Sequence, residues 1–257
     1  LFFTSIEQVI GVENIKELDK RNFIETVFPT DWGPDRIVSL RERDTPVKRQ
    51  WNGTCTSFAT IAAMENILEA EIELSERSLW DFYGKYSTQV AIKTASNNFI
   101  LEEIYWPQGQ SRINDDVEKL GRYRIANYNN LKTDYLSVLK AIDNGNPCVV
   151  GLSTPKDLAK GYNQVESTSR VSKKGGHAMC VSGYKVENGK CYFLVKNSWG
   201  TKIGDNGYQY IDFEIYKPRR NRYCYFWEIS EVEIKQQQTL NVITGNTYDF
   251  ESFWEFE

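Results

Sequence analysis

Gln50, Cys55, His177 and Asn197 have the types and the order that nucleophilic acyl chemistry needs. Cys55 stands where a helix is expected to begin. Free backbone N–H groups and the positive end of the helix dipole stabilise a thiolate there, so its pKa is expected to fall toward the reactive form. A cysteine in that place can equally be a buried structural thiol, the common fate of a free cysteine. His177 is the only histidine in the chain. If imidazole does acid–base work here near neutral pH, His177 does it. It follows Gly175-Gly176, and glycines there let another backbone or a substrate come close. Gln50 precedes Cys55 by five residues in a loop. Its side-chain NH2 and the backbone N–H of Cys55 are the two donors an oxyanion hole requires, although a loop glutamine is more often simply solvated.

The partner of His177 follows from a hairpin. Asn188-Gly189 between two β-type runs is a strong two-residue turn signal. Folding the chain there brings His177 and Asn197 to the same end, within about three residues, or roughly 10 Å along the strand. A strict two-residue turn sets them on opposite faces, and one bulge or a longer loop restores a common face. The amide oxygen of Asn197 can then hold the imidazole in one orientation, as the third member of a triad does.

The elements that must position these groups are legible in outline. Thr54 to Glu71 reads as a helix, with Ile61, Met64, Ile67 and Leu68 at three- and four-residue steps and the Thr54 hydroxyl as N-cap. A short helix follows, capped by Ser75. Residues 84–130 read as polar and irregular, and 133–144 as helical again. Cys148–Leu152, Ala178–Val181 and Tyr192–Val195 are short β-type runs between Gly and Asn turns. The tail from Tyr216, with Tyr223, Tyr225, Phe226 and Trp227, is expected to pack.

Bulk properties narrow the class. The 257 residues suffice for one large domain or two subdomains around a cleft, and 14% aromatic residues can fill a sizeable core. A net charge of -4 argues against nucleic acid as a partner. No apolar run is long enough for a membrane span. Five cysteines without a C-x-x-C pair suggest neither a disulfide scaffold nor zinc, and the reading needs no metal or cofactor. The chain begins at Leu1, and the first residues are too few for a signal peptide, so a processed form or a cut piece of a longer chain is expected.

The whole set resembles the papain family of cysteine peptidases. Asp31-Trp32 is similar to the D-W near the mature start of these enzymes, and Thr45-Pro46-Val47-Lys48-Arg49-Gln50 to T-P-V-K-x-Q. Cys55 with Ser57-Phe58-Ala59 resembles the start of the active-site helix. Leu74-Ser75-Glu76-Arg77 with Leu79 and Asp81 resembles L-S-E-Q-x-L-V-D, and Gly145-Asn146-Pro147 the G-P-V element. Gly176-His177-Ala178 with Gly183-Tyr184 resembles H-A-V-x-x-V-G-Y. Lys196-Asn197-Ser198-Trp199-Gly200-Thr201 is identical to K-N-S-W-G-T, and Gly204 with Gly207-Tyr208 continues it. The resemblance runs over roughly 31–210, with 122 residues from Cys55 to His177 and 20 from His177 to Asn197.

The resemblance implies an α+β fold of two subdomains with the site in the cleft between them. The left one is helical, over about 31–130, and the right one an antiparallel, β-barrel-like unit over about 131–257. Residues 1–30 are left as an N-terminal extension or pro-segment remnant. It implies Cys55, His177 and Asn197 as catalytic residues, Gln50 with Cys55 as oxyanion donors, Trp199 as a shield on the Asn–His contact, and Gly176 as support. The implied reaction is endopeptidase hydrolysis through a Cys55 thioester. The implied partners are a peptide or protein substrate, with a pro-segment or protein inhibitor as a further candidate. Two alternatives keep the same residues: a thioester-based transamidase, ligase or deamidase, and a silent peptide- or protein-binding pseudopeptidase. Family habit points to a secreted or lysosomal-type setting, while the sparse, odd cysteines fit a bacterial or intracellular one equally.

The chain also departs from the pattern. Asn52-Gly53-Thr54-Cys55-Thr56 stands for C-G-S-C-W, one residue shorter between Gln50 and Cys55, without the upstream cysteine or the following Trp. No G-C-x-G-G element occurs in 84–130, so no substrate-pairing residues carry over. Asn52-Gly53-Thr54 fits a glycosylation acceptor, but a glycan there would obstruct the cleft, so it is read as a chance match. The usual disulfides are not expected, since the hairpin register sets Cys191 beside Val186 rather than Cys180.

Overall fold

The computed structural model describes residues 32–51, 53–83, 87–110, 119–132, 134–217, 220–221 and 224–236. The expected extension over 1–30, and the readings of Asp31, Asn52 and Tyr223, lie outside these residues. Strand β1 (Arg36–Ser39) leads through a 3-10 turn at Arg41–Arg43 and an extended stretch to α1 (Cys55–Ile67), α2 (Glu76–Tyr83) and α3 (Thr88–Asn97). Then come β2 (Tyr123–Lys132), α4 (Tyr135–Asp143), β3 (Cys148–Pro155), the short α5 (Lys156–Ala159), β4 (Gln164–Val165), β5 (Val171–Glu187), β6 (Lys190–Lys196), β7 (Tyr208–Asp212) and β8 (Tyr225–Ile234). The strands form one sheet in the order β2-β8-β3-β5-β6-β7-β4, with β1 also paired to β5. Every pairing is antiparallel except the parallel β4–β7.

Period-two alternation in β3 and β5 divides the interior. Val150, Leu152, Met179 and Val181 face an aromatic core with α4, built on Tyr135, Phe193, Tyr216 and Phe226. Val149, Ala178 and Cys180 face the opposite way, onto Ile61 and Met64 of α1 and Ala91, Ile92 and Ala95 of α3. Helix α1 is therefore a central rod, with Thr56 through Asn66 all buried. Its polar groups are satisfied inside. Thr60 donates to the Thr56 carbonyl, Ser57 to that of Glu76, and the Asn66 amide to the Leu40 carbonyl and Asp44.

Three readings of the sequence are corrected. Helix α1 ends at Ile67, not Glu71, because Glu69 and Ala70 take left-handed φ of 55° and 58°. Their N–H groups turn back to the carbonyls of Asn66 and Glu65 and close the helix without a glycine. Thr54 does not cap with its side chain, since its hydroxyl donates to the Trp51 carbonyl at 2.8 Å. The stretch 84–130 is not irregular throughout. It holds α3, whose buried face of Ala91, Ile92, Thr94 and Ala95 has only one large apolar residue and so gives a weak apolar period, and β2, which pairs along its length with β8. Ser75 does cap α2, accepting from the Ser78 N–H at 3.0 Å.

Candidate active site

The Asn188-Gly189 turn closes the β5–β6 hairpin with Glu187 opposite Lys190 and Val186 opposite Cys191. The register slips once, between Val181 and Gly183, so Ser182 is the extra residue of a β-bulge. Beyond it Cys180 faces Lys196, and His177 and Asn197 emerge on a common face. Nε2 of His177 and Oδ1 of Asn197 are hydrogen-bonded at 2.8 Å. Trp199 stacks on the imidazole, with ring centroids 4.2 Å apart and planes 21° apart. His177 is 5% exposed, and this burial lowers its pKa to about 4, the Asn197 bond pulling it back upward.

Cys55 is the first residue of α1 and half-buried. Burial raises its thiol pKa, while backbone hydrogen bonds from Ala178, Thr56 and Cys55 itself act to lower it. The expected fall at a helix start is thus reversed, because desolvation outweighs the backbone hydrogen bonds that favour the thiolate. The Ala178 contact sets the sulfur beside the strand position next to His177. Because the Thr54 hydroxyl is turned away to Trp51, it does not compete for the first-turn amides that face the sulfur.

Gln50 is held against the segment that carries Asn197. Its backbone N–H donates to the Ser198 carbonyl at 2.7 Å, and its Oε1 accepts from the Ser198 hydroxyl at 2.6 Å. The amide NH2 therefore points away from Ser198. Arg49 bridges to Trp199 in the same crossing. Gly176 pairs with Ser153 in β3, and the flanking Gly175 has φ +84°, where a side chain would be strained. Beside Ala178 across the sheet lies Gly151, whose bare Cα faces the Thr88 methyl at the start of α3.

Two participants have no signal in the sequence. Ser198 stands in the sequence only as one residue of the Lys196–Thr201 run, yet its hydroxyl fixes Gln50. Gln209, the second residue of β7, accepts from Asn197 Nδ2 at 2.8 Å. Only the strand alternation of Tyr208, Gln209 and Tyr210, with glutamine on a buried face, could have raised it. All five cysteines are free thiols, and among the described residues no His, Cys, Asp and Glu group has the makings of a metal site.

The sequence profile of the family described as "Papain family cysteine protease" matches residues 35–224. Zingipain-2 from Zingiber officinale is 30% identical over 202 residues, covering 73% of this chain and 88% of that protein. Pro-cathepsin H from Mus musculus is 27% identical over 187 residues, covering 65% of this chain and only 56% of that longer protein. Among solved structures, bromelain from Ananas comosus in complex with the E64 inhibitor superposes with a TM-score of 0.61 at 21% identity, over 77% of this chain and all of that one. At that identity the superposition speaks for the fold.

Proposed function

The chain belongs to the papain family of cysteine proteases and is a hydrolase of the peptidase class; from that premise we propose that it cleaves peptide bonds within polypeptides through a thioester on Cys55, with His177 as base and Asn197 as its orienter. What supports this reading is one contact set: the 2.8 Å His177–Asn197 bond beside a thiol that meets the next residue, Ala178.

In the proposed sequence, His177 takes the Cys55 proton as sulfur attacks the scissile carbonyl carbon and the C–S bond forms. The oxyanion is held by the Cys55 N–H and the Gln50 NH2. His177 then protonates the leaving nitrogen as the C–N bond breaks, leaving a thioester and a free amine. Water, deprotonated by the same imidazole, attacks the thioester and releases the acid. Both thiol and imidazole start neutral, in keeping with the raised thiol and lowered imidazole pKa. Substrates are peptides or proteins, and a pro-segment or protein inhibitor would compete for the same ground.

Incubation of wild type and Cys55→Ala with a proteome-derived peptide library tests the proposal. The expected result is cleavage by wild type alone, each product gaining one water. Products carrying an added amine would point to transamidation, and equal cleavage by Cys55→Ala would overturn the assignment.

A further inference from the structure

We infer that Gln209 is a positioning residue that sets the tautomer of His177, acting through Asn197. The argument starts from two groups that can only accept. The carbonyls of Tyr162 and Leu158 lie 2.7 and 3.3 Å from Gln209 Nε2. A carbonyl oxygen can only accept, so the NH2 of Gln209 faces these two and its oxygen faces the other way. That oxygen lies 2.8 Å from Asn197 Nδ2, which must donate to it. The carbonyl end of Asn197 then faces His177. The Ser198 N–H, which can only donate, reaches the same Asn197 oxygen at 2.7 Å and gives the same orientation independently.

The consequence falls on the imidazole. Facing an oxygen that can only accept, Nε2 of His177 carries the proton, and Nδ1 of the neutral ring keeps the lone pair. Nδ1 is thereby the basic nitrogen available to the thiol. Gln209 is fully buried, so neither of its ends can exchange its partner for water. The relay joins positions 12, 47 and 51 residues apart, from the residue just past β6 through β7 to α5 and the turn after it. Such a polar chain has one arrangement that satisfies every member.

Gln209→Leu removes both ends of the relay. It leaves the Asn197 NH2 buried without an acceptor, and only the Ser198 N–H still holds the amide oxygen. Asn197 then no longer offers that oxygen to the imidazole in one fixed place, the Nε2–H bond weakens, and part of the ring population passes to the Nδ1–H form. This inference rests on reading His177 as the base, but its direct test does not need turnover. In the full chain carrying Cys55→Ala and 15N-labelled histidine, the single histidine gives one set of ring resonances at pH 7. The expected spectrum is that of the Nε2–H tautomer with Gln209 present and a measurable Nδ1–H population with Gln209→Leu. With Cys55 intact, kcat/KM of Gln209→Leu is expected to fall roughly 10²-fold, the low end of what a general base contributes.

Gln209→Glu serves as the conservative partner and covers a Leu variant that does not fold. Its protonated carboxyl can donate its one O–H to the nearer carbonyl, that of Tyr162, and accept from Asn197, while its ionised form cannot donate at all. Activity near wild type at pH 5, falling at least tenfold by pH 8 along a limb wild type lacks, is expected. An Nδ1–H tautomer in the Cys55→Ala chain would overturn the inference. So would an unchanged tautomer in Gln209→Leu, or a Gln209→Glu pH profile that follows wild type. A tautomer that responds as expected in a chain without peptidase activity would instead sink the peptidase reading and leave the relay standing.

Discussion

Trp199 covers the face of His177 at a centroid separation of 4.2 Å, so the imidazole that meets Asn197 has an indole where water would otherwise stand. Burial is the larger influence on this histidine and lowers its pKa to about 4. Trp199→Ala should readmit water and return the pKa toward the ordinary value of 6.5. The base must be neutral, so the acid limb of kcat/KM, expected near pH 4 in wild type, should move up by a unit or more. The same linkage acts on stability. A histidine with a depressed folded pKa loses stability as pH falls from about 6.5 to about 4, and the variant should lose less across that window. Titration of the lone imidazole by NMR checks both, and an unmoved pKa would refute the shielding role.

Ser198 acts on the other side of the site. Its hydroxyl donates to Gln50 Oε1 at 2.6 Å and so aims the glutamine NH2. Gln50→Ala should lower kcat roughly 10²-fold, as loss of an oxyanion donor does, and Ser198→Ala roughly tenfold with little change in KM. The two act through one group, so Ser198→Ala should have almost no further effect in the Gln50→Ala background. Additive losses in the double variant would show that Ser198 works by another route.

The hairpin carrying His177 and Asn197 was legible because its turn is coded locally by Asn188-Gly189 and its strands by alternation. The start of α1 and the Ser75 cap were legible for the same reason. What escaped depends on partners far along the chain. Nothing near Ser182 announces a bulge, yet the bulge returns His177 and Asn197 to one face. Nothing near Gln209 announces a relay to Tyr162. Helix α3 was missed because Ala91 and Ala95 pack closely while contributing little apolar weight. The sign of the Cys55 shift was missed because helix position is local and desolvation is set by the strand laid across it.

Gly183 shows how a motif glycine can be structural. A Cβ there would come within 2.6 Å of the Val38 carbonyl and 3.1 Å of the Ser39 Cα, where β1 crosses β5 beside the bulge. Backbone cannot yield as a flexible side chain can. Gly183→Ala is expected to destabilise by about 1–3 kcal/mol, the usual cost of overpacking. Urea unfolding measures it, and a loss below ~0.5 kcal/mol would mean that β1 moves aside freely.

Beneath the site, two buried carboxylates share one ammonium. Lys48 Nζ lies 3.1 Å from Glu65 and 3.0 Å from Glu76, in a small cavity bounded by Asn197 and Ser198. Glu65 is well supplied, accepting also from the Thr45 hydroxyl and the Leu74 N–H. Glu76 Oε2 has no hydrogen-bond partner among the described residues, so Glu76 is the carboxyl that takes a proton. Burial pushes its pKa up to about 8, Lys48 opposing and Glu65 and Glu103 adding to the rise. A carboxyl whose folded pKa lies above its unfolded 4.5 stabilises the fold fully below 4.5, and this contribution is lost as pH rises toward 8. Glu76→Gln mimics the neutral acid in shape and should remove that slope. The difference in unfolding free energy, variant minus wild type, should grow by on the order of a few kcal/mol between pH 5 and pH 8.5. Taking the difference cancels the opposite slope contributed by His177. A difference that stays flat, or that favours wild type at high pH, would mean that Glu76 is ionised in the fold and that Lys48 holds both carboxylates as a charged trio.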